Sequence, residues 1–299
     1  MKIIVLKLKD VMAKFLLVKI PRFISGNGLI GYFKLLSNFQ YLLSWKDRIV
    51  EVRKHNFGEN NWIYEINTKR HNIYIQDISR ISRFWRGSSH AFERLYYQYV
   101  YPESGIHKRL ETENPNVIFD IGANIGEFTI FCAHYFPTAK IYAFEPDPIA
   151  FECLSKNIEN LGLESRVSIW QLALSDKIEK STFYVASSSA DSSLVKPTKH
   201  TTEIVLETMR LDRFMANQSI KNISLLKMDA EGNEPEVILG MGQEISNCDS
   251  FTIDVSPERG GVSTLNETRE ILEALQLKTE VIAGQGERIF LTEITSKTH

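Results

Sequence analysis

From Pro115 onward, short apolar runs alternate with segments whose apolar residues recur every three or four positions. Val117–Ile121 is almost continuously apolar, which is typical of a strand that is covered on both faces. The pattern predicts strands at residues 117–121, 140–144, 167–172, 223–228 and 250–255. Helices are predicted between them, at 127–136, from Asp147 and Pro148 to Gly162, from Pro235 to about Gly240, and at 265–275. This alternation predicts an α/β fold with a mostly parallel, Rossmann-like sheet and helices on both faces, which binds ligands at the carboxyl ends of its strands.

The first 114 residues are more irregular and rich in aromatic side chains. Residues 62–66 and 72–76 predict two short strands around a polar turn, and 84–99 predicts a helix. We therefore divide the chain into an N-terminal α+β extension, residues 1–114, that could cap the acceptor side, and a main domain, residues 115–299. In the main domain, residues 182–210 predict an insertion or a hairpin, and 279–282 with 288–292 a closing hairpin.

Residues 1–20 place apolar side chains at helical spacing among several lysines, so they could form a weak membrane-surface helix or a helix that packs on the protein body. They lack a signal-peptide cleavage site, and no stretch reaches the roughly 18 apolar residues of a membrane span. The net charge of -2 gives no electrostatic reason to expect a nucleic acid partner. Three widely spaced cysteines argue against a disulfide framework or a zinc site, and favour a soluble protein in the reducing cytoplasm.

The first motif, Asp120 to Gly126, reads DIGANIG at the end of the first predicted strand. Its glycines allow a sharp turn and a close approach to a ligand. A dinucleotide site would have G-x-G-x-x-G, whereas this loop has G-x-x-x-G. The loop also has carboxylates at both edges, Asp120 and Glu127. These suit a cationic ligand such as S-adenosylmethionine better than a phosphate.

The second motif, Glu145-Pro146-Asp147, follows the second strand. A carboxylate in this place can accept hydrogen bonds from both hydroxyls of a ribose. Pro146 favours an extended backbone at Glu145, which holds it at the strand edge. Methyltransferases and dehydrogenases both bind a ribose here, so this motif does not separate them.

The third motif, from Lys227 to Glu234, reads KMDAEGNE at the end of the fourth strand. Strand alternation puts Lys227 and Asp229 on the same face. Charges beside a buried strand are costly unless they are paired or used. They could form a structural ion pair or a catalytic pair. As a further alternative, Asp229, Glu231 and Asp254 could supply oxygen ligands to Mg²⁺.

The three motifs, together with ALSD at 173–176 and Leu211-Asp212, resemble the FkbM-type methyltransferases over roughly residues 115 to 255. The resemblance implies a class I methyltransferase sheet, S-adenosylmethionine as donor, and an oxygen acceptor on a sugar, lipid-linked glycan or natural product. Asp254 stands where members often carry Glu, and residues 1–110 do not share the pattern. The implied donor site includes Asp120, Gly122, Ala123, Asn124 and Gly126 around the methionine part, Glu145 and Pro146 at the ribose, and Gln171 and Ala173 near the adenine.

We therefore predict an S-adenosylmethionine-dependent methyltransferase that methylates a hydroxyl of a small molecule or glycan without a metal. Asp229 would orient or accept the hydroxyl proton, Lys227 would bind the acceptor oxygen or tune Asp229, and Glu231 would support the pair. Two alternatives are an NAD(P)-dependent oxidoreductase on the same sheet and a non-catalytic binding protein that retains the fold. The glycine spacing argues against the first, and the intact donor loop argues against the second.

Overall fold

A computed structural model describes residues 49–56, 62–68, 72–76, 115–186, 192–196, 202–283 and 288–293. The strands are β1 (Ile49–Asn56), β2 (Trp62–Thr68), β3 (Asn72–Ile75), β4 (Val117–Ile121), β5 (Lys140–Phe144), β6 (Val167–Trp170), β7 (Ala173–Leu174), β8 (Lys180–Val185), β9 (Thr202–Met209), β10 (Leu225–Met228), β11 (Phe251–Asp254), β12 (Thr279–Ala283) and β13 (Ile289–Glu293). The helices are α1 (Glu127–Tyr135), α2 (Pro148–Asn160), α3 (Leu211–Asn217), α4 (Glu234–Met241) and α5 (Leu265–Ala274), and a 3-10 turn spans Gly242–Asn247.

The central sheet has seven strands in the order β12-β13-β11-β10-β4-β5-β6. The five strands from β11 to β6 run parallel, and the hairpin β12–β13 adds an antiparallel edge. The chain winds outward from β4 in one direction through β5 and β6, and in the other through β10 and β11. The predicted Rossmann-like sheet and its closing hairpin are thus confirmed. Ligands of such sheets bind where the winding direction changes, here between β4 and β10.

Alternation along β4 separates the two layers of the core. Ile118 faces α1 and α2, whereas Phe119 and Ile121 face the cluster that contains Phe214 of α3. The Phe119 ring centroid lies 6.2 Å from that of Phe214, in an edge-to-face arrangement. Asp120 is fully buried on the Ile118 side. A carboxylate in this position needs a partner, since burying an unpaired charge is costly.

Helix α2 begins and ends as its sequence predicts. The Asp147 carboxylate caps it by accepting hydrogen bonds from the backbone N–H groups of Ile149 at 2.8 Å and Ala150 at 3.2 Å. Pro148 occupies the first turn. Gly162 follows the helix with φ +64°, a left-handed conformation that favours glycine. The cap fixes Asp147 at the carboxyl edge of the sheet.

Two smaller sheets flank the central one. β8 and β9 form the hairpin predicted within residues 182–210, and β7 pairs with β9. β2 and β3 are the two strands predicted in the N-terminal extension, and β1, which the sequence pattern did not predict, completes an antiparallel sheet with them. The helix predicted at 84–99 and the segment 1–20 lie outside the described residues. The division at residue 114 stays a prediction.

The buried side chain of Asn157 in α2 attaches strand β3 to the main domain. The Asn157 Oδ1 atom accepts a hydrogen bond from the backbone N–H of Tyr74 at 2.6 Å. Its Nδ2 atom donates to the carbonyl of Tyr74 at 2.9 Å and to that of Ile125 at 2.8 Å. The N-terminal sheet is therefore connected to the loop that follows β4.

The three cysteines, Cys132, Cys153 and Cys248, are free and buried, as predicted for a chain without a disulfide framework. Within the ranges that the structure describes, every helix is too short or too polar to cross a lipid bilayer.

Candidate active site

The loop after β4 turns through three left-handed residues, Gly122, Asn124 and Gly126, with φ values of +71°, +52° and +91°. The backbone N–H groups of Gly122 and Ala123 both donate to the carbonyl of Phe144, at 3.0 Å and 2.9 Å. A Cβ atom on Gly122 would lie 1.8 Å from the carbonyl oxygen of Asp229. Glycine is therefore needed at position 122 because the first and third motifs touch there through their backbones.

A buried ion pair lies beneath this loop. The Lys227 ammonium lies 3.1 Å from Asp120 Oδ1 and donates to the carbonyls of Gly122 at 2.7 Å and Ile121 at 3.2 Å. Thr129 Oγ1 donates to the other Asp120 oxygen at 2.6 Å. These contacts follow from strand register, because Lys227 of β10 lies beside Asp120 of β4. Lys227 thus holds the loop in place by donating to the carbonyl groups of Ile121 and Gly122.

Glu145 connects the first motif to the second. Its carboxylate accepts hydrogen bonds from the backbone N–H of Asn124 at 2.6 Å and of Asp147 at 2.8 Å. Burial, and then the nearby charge of Asp147, raises the pKa of Glu145 to about 8. A carboxylate has about four lone-pair sites, so these two bonds leave capacity for further donors.

Glu234 folds the turn of the third motif. Its Oε1 atom accepts from the backbone N–H groups of Ala230 and Gly232, both at 3.0 Å, and its Oε2 atom accepts from Thr264 Oγ1 at 2.9 Å. The turn passes through left-handed conformations at Glu231 and Gly232, with φ values of +51° and +93°. Burial raises the pKa of Glu234 to about 7. Glu234 therefore acts as a structural group within the motif.

Asp229 pairs with Arg288 at the start of β13, although the sequence pattern suggested Lys227 as its partner. The Arg288 guanidinium donates to Asp229 Oδ2 at 2.9 Å, and its Nε atom donates to Asp254 Oδ2 at 2.7 Å. Asp254 also accepts from the backbone N–H of Ser256 at 3.1 Å. Arg288, which also binds Asp254, thus fixes the orientation of the Asp229 carboxylate.

This arrangement changes which carboxylates could hold a metal ion in the alternative interpretation. Asp229, Asp254 and Glu258 bring carboxylate oxygens within 4.8 Å of one another, so Glu258 stands in the place proposed for Glu231. Burial, and then the charges of Asp229 and Asp254, raises the pKa of Glu258 to about 10. Arg288 supplies this cluster of carboxylates with the positive charge that a metal ion would otherwise provide.

These motifs line one open cavity at the carboxyl ends of β4, β5 and β10. Among the sequence-predicted site residues, those that line it are Gly122, Ala123, Asn124, Glu145, Pro146, Ala173, Lys227, Asp229 and Glu231.

Three predicted donor residues do not line the cavity. Asp120 is buried beneath the loop, where it pairs with Lys227. Gly126 begins α1, and a Cβ atom there would lie 2.7 Å from the side chain of Leu154. Gln171 is exposed, and its neighbour Leu172 lines the cavity instead. The lining also includes residues that the motifs did not indicate, namely Gln76, Ser192, Ser193 and Leu194.

The raised pKa values of Glu145 and Glu234 predict how stability depends on pH. Both pKa values lie above the value of 4.5 for an unperturbed glutamate, so the folded state binds these protons more tightly than the unfolded state. The stabilisation is fully present below that value and is lost as pH rises through about 7 and 8. We expect the Tm of the ligand-free protein to fall between about pH 5 and about pH 9.

Differential scanning fluorimetry across this pH range measures the effect. Glu145→Gln, whose amide resembles the protonated acid, should flatten the decline. A Tm that rises over the range, or a decline that is unchanged in Glu145→Gln, would contradict the prediction.

Comparison with known proteins identifies the family of this fold and site. A family model described as "Methyltransferase FkbM domain" matches residues 120–279, which is more than half of the 299-residue chain. The chain is 31% identical to the 2-O-methyltransferase NoeI of Sinorhizobium fredii, over 44% of this chain and 59% of the relative. It is 27% identical to the 31-O-demethyl-FK506 methyltransferase FkbM of Streptomyces tacrolimicus, over 49% of this chain and 67% of the relative.

Among solved structures, the chain is similar to a methyltransferase FkbM from Methylobacillus flagellatus. The TM-score is 0.44 at 14% identity, and the match covers 72% of this chain and 54% of the other. The matched parts therefore span less than two thirds of the NoeI relative and of the Methylobacillus chain.

Proposed function

The chain belongs to the FkbM methyltransferase family, and from this premise we propose that it transfers a methyl group from S-adenosylmethionine to a hydroxyl group. The observation that carries the proposal is the single cavity that joins the Gly122 loop, Glu145 and Asp229. The cavity lies at the carboxyl ends of parallel strands, where folds of this kind bind ligands. The oxidoreductase and the non-catalytic alternatives are not favoured by the family match.

The residues around the cavity suit this donor. S-adenosylmethionine carries a sulfonium and an ammonium, and the cavity presents the carboxylates of Glu127 and Asp229. We propose that Glu145 accepts the ribose hydroxyls, because a buried carboxylate with two backbone donors is already fixed in orientation. The Gly122 loop would hold the methionine part, and Leu172 with Ala173 would contact the adenine.

We propose an acceptor hydroxyl on a sugar, a glycan or a natural product. The names of the two relatives describe a 2-O-methyltransferase and a methyltransferase of 31-O-demethyl-FK506, so both act on oxygen. We also propose that the acceptor is a small molecule or a glycan rather than a nucleic acid. The proposed location of the protein is the cytoplasm. The N-terminal extension would supply part of the acceptor side, since Gln76 beside β3 lines the cavity.

Asp229 is the proposed base. S-adenosylmethionine supplies an electrophilic methyl group when it is bound. An alcohol is a weak nucleophile until its proton is accepted, and Asp229 can take that proton onto its carboxylate. The pairing with Arg288 holds Asp229 in place. Lys227 keeps the Gly122 loop in shape through its contacts with Asp120 Oδ1 and with the carbonyl oxygens of Ile121 and Gly122. These contacts support a structural role for Lys227 more strongly than a chemical one. Glu231 would contact the acceptor from the same turn.

The test is a radiolabelled-methyl assay with the purified protein and a panel of sugars, glycans and natural-product alcohols, followed by mass spectrometry of the product. Titration calorimetry with S-adenosylmethionine and S-adenosylhomocysteine provides the donor affinity. A protein that binds neither nucleoside would contradict the proposed function. Methyl transfer to nitrogen or carbon alone would contradict the proposed acceptor class.

Replacement of the base gives a specific prediction. Asp229→Asn keeps the shape of the side chain and removes its charge, so turnover should fall at least about tenfold while donor affinity changes little. The assay uses the acceptor found in the panel. Asp249→Asn is the matched control, because the Asp249 carboxylate accepts a hydrogen bond from Asn222 and does not line the cavity. Wild-type turnover in Asp229→Asn would remove Asp229 from the chemistry.

A further inference from the structure

One segment beside the cavity has no role in the proposed chemistry. Residues 192–196, here called the strap, run along the edge of β8. Ser193 and Tyr184 exchange two backbone hydrogen bonds, of 2.9 Å and 3.0 Å. Ser192, Ser193 and Leu194 line the cavity. The strap therefore forms a wall of the site, although its sequence carries no recognisable motif.

The first end of the strap is attached to the second motif. Ser192 Oγ donates to Asp147 Oδ2 at 2.7 Å and accepts from the backbone N–H of Ala186 at 2.9 Å. The other Asp147 oxygen caps α2, and the Asp147 backbone N–H donates to Glu145. Ser192 is thus connected through Asp147 to Glu145, the residue that is proposed to hold the ribose.

The next residue of the strap is attached to the third motif. Ser193 is buried, and its Oγ atom donates to the carbonyl of Glu231 at 2.8 Å. The same oxygen accepts from the backbone N–H of Val195 at 3.0 Å. Glu231 has a left-handed backbone, which the surrounding structure must hold in place. Two adjacent serines thus join opposite sides of the cavity.

We propose that Ser192 and Ser193 are positioning residues that hold the second and third motifs at a fixed separation and so retain the donor. The inference rests on the proposed function, because it takes S-adenosylmethionine as the ligand. A site held in its binding geometry before the ligand arrives loses less conformational freedom on binding. Each serine hydroxyl donates its single hydrogen to one of these motifs, so truncation to alanine removes that connection without changing a charge.

The experiment measures the affinity of S-adenosylhomocysteine by titration calorimetry for Ser192→Ala and Ser193→Ala. Each variant should bind at least about fivefold more weakly than wild type, because a hydrogen bond to a charged or fixed acceptor is lost. Ser192→Thr retains a hydroxyl and should restore most of the affinity lost in Ser192→Ala. Ser181→Ala on β8 is the matched control, since Ser181 does not line the cavity. Tm values are measured on the same samples.

The outcomes separate this proposal from the proposed function. Alanine variants that bind as wild type does would overturn the role of the strap and leave the donor assignment intact. A lower Tm with unchanged affinity would also overturn it, because the serines would then support only the fold. Wild-type protein that fails to bind would contradict both. If Ser193→Ala fails to fold because Ser193 is buried, the partly exposed Ser192 decides the result.

Discussion

Gly122→Ala is expected to lose donor binding almost completely. The new Cβ would lie 1.8 Å from the carbonyl oxygen of Asp229, and a backbone atom cannot move aside as the end of a side chain can. The residue also has φ +71°, which disfavours alanine. Overpacking of this kind typically costs about 1–3 kcal/mol of folding stability, and the loop can relieve the clash only by leaving the shape that holds the donor. Donor affinity should therefore fall at least about 100-fold.

A second glycine separates the steric clash from backbone strain. Gly162 has φ +64°, and nothing lies within 4 Å of its Cβ position. Gly162→Ala should therefore show only the small cost of a left-handed alanine and bind the donor as wild type does. Titration calorimetry measures both variants, and circular dichroism establishes that they are folded. Equal donor affinity in wild type and Gly122→Ala would show that the loop does not hold the donor.

Lys227→Met is expected to lower both stability and donor affinity. The substitution leaves the Asp120 carboxylate buried without its cation, and breaking a buried ion pair in this way costs about 3–5 kcal/mol. For a domain of this size the Tm should fall by roughly 10 °C. The carbonyl groups of Ile121 and Gly122 also lose their common donor, so the loop no longer has a fixed shape.

The double variant Asp120→Asn with Lys227→Met tests this interpretation. Removing both charges should recover much of the Tm that Lys227→Met loses, since no unpaired charge is left. Donor affinity should stay low, because the loop still lacks the ammonium group that donates to its carbonyls. Thermal unfolding and calorimetry give the two quantities. If Lys227 served only the chemistry, Lys227→Met would keep the wild-type Tm and donor affinity and lose turnover alone.

The sequence pattern was sufficient for features that depend on neighbouring residues. The cap at Asp147, the end of α2 at Gly162 and the two hairpins were predicted correctly, because each follows from local backbone chemistry. The three motifs were found because the carboxyl ends of parallel strands meet at one edge of a sheet.

Features that depend on strand register and distant partners were not predicted. Lys227 was assigned to Asp229 by alternation along one strand, but the neighbouring strand places Asp120 closer. Arg288 lies 59 positions from Asp229, in a hairpin without a motif. Ser192 was missed for the same reason, since a serine in a polar segment carries no periodic signal. Gln171, which was assigned to the adenine, is exposed, whereas Leu172 and Ala173 line the cavity.

The attachment of the N-terminal sheet has a consequence for how members of such a family can diversify. Asn157 recognises β3 only through the peptide group of Tyr74, and peptide groups are the same at every position of every protein. A different N-terminal segment can therefore dock on the same catalytic domain, provided that its edge strand offers one N–H and one carbonyl. Grafting residues 49–76 of another member onto this domain can keep these hydrogen bonds whichever side chain stands at position 74, and alters the contact between Lys156 and the Tyr74 ring. Under the proposed role of this sheet on the acceptor side, such an exchange would change acceptor choice while the Gly122 loop and Glu145 stay unchanged.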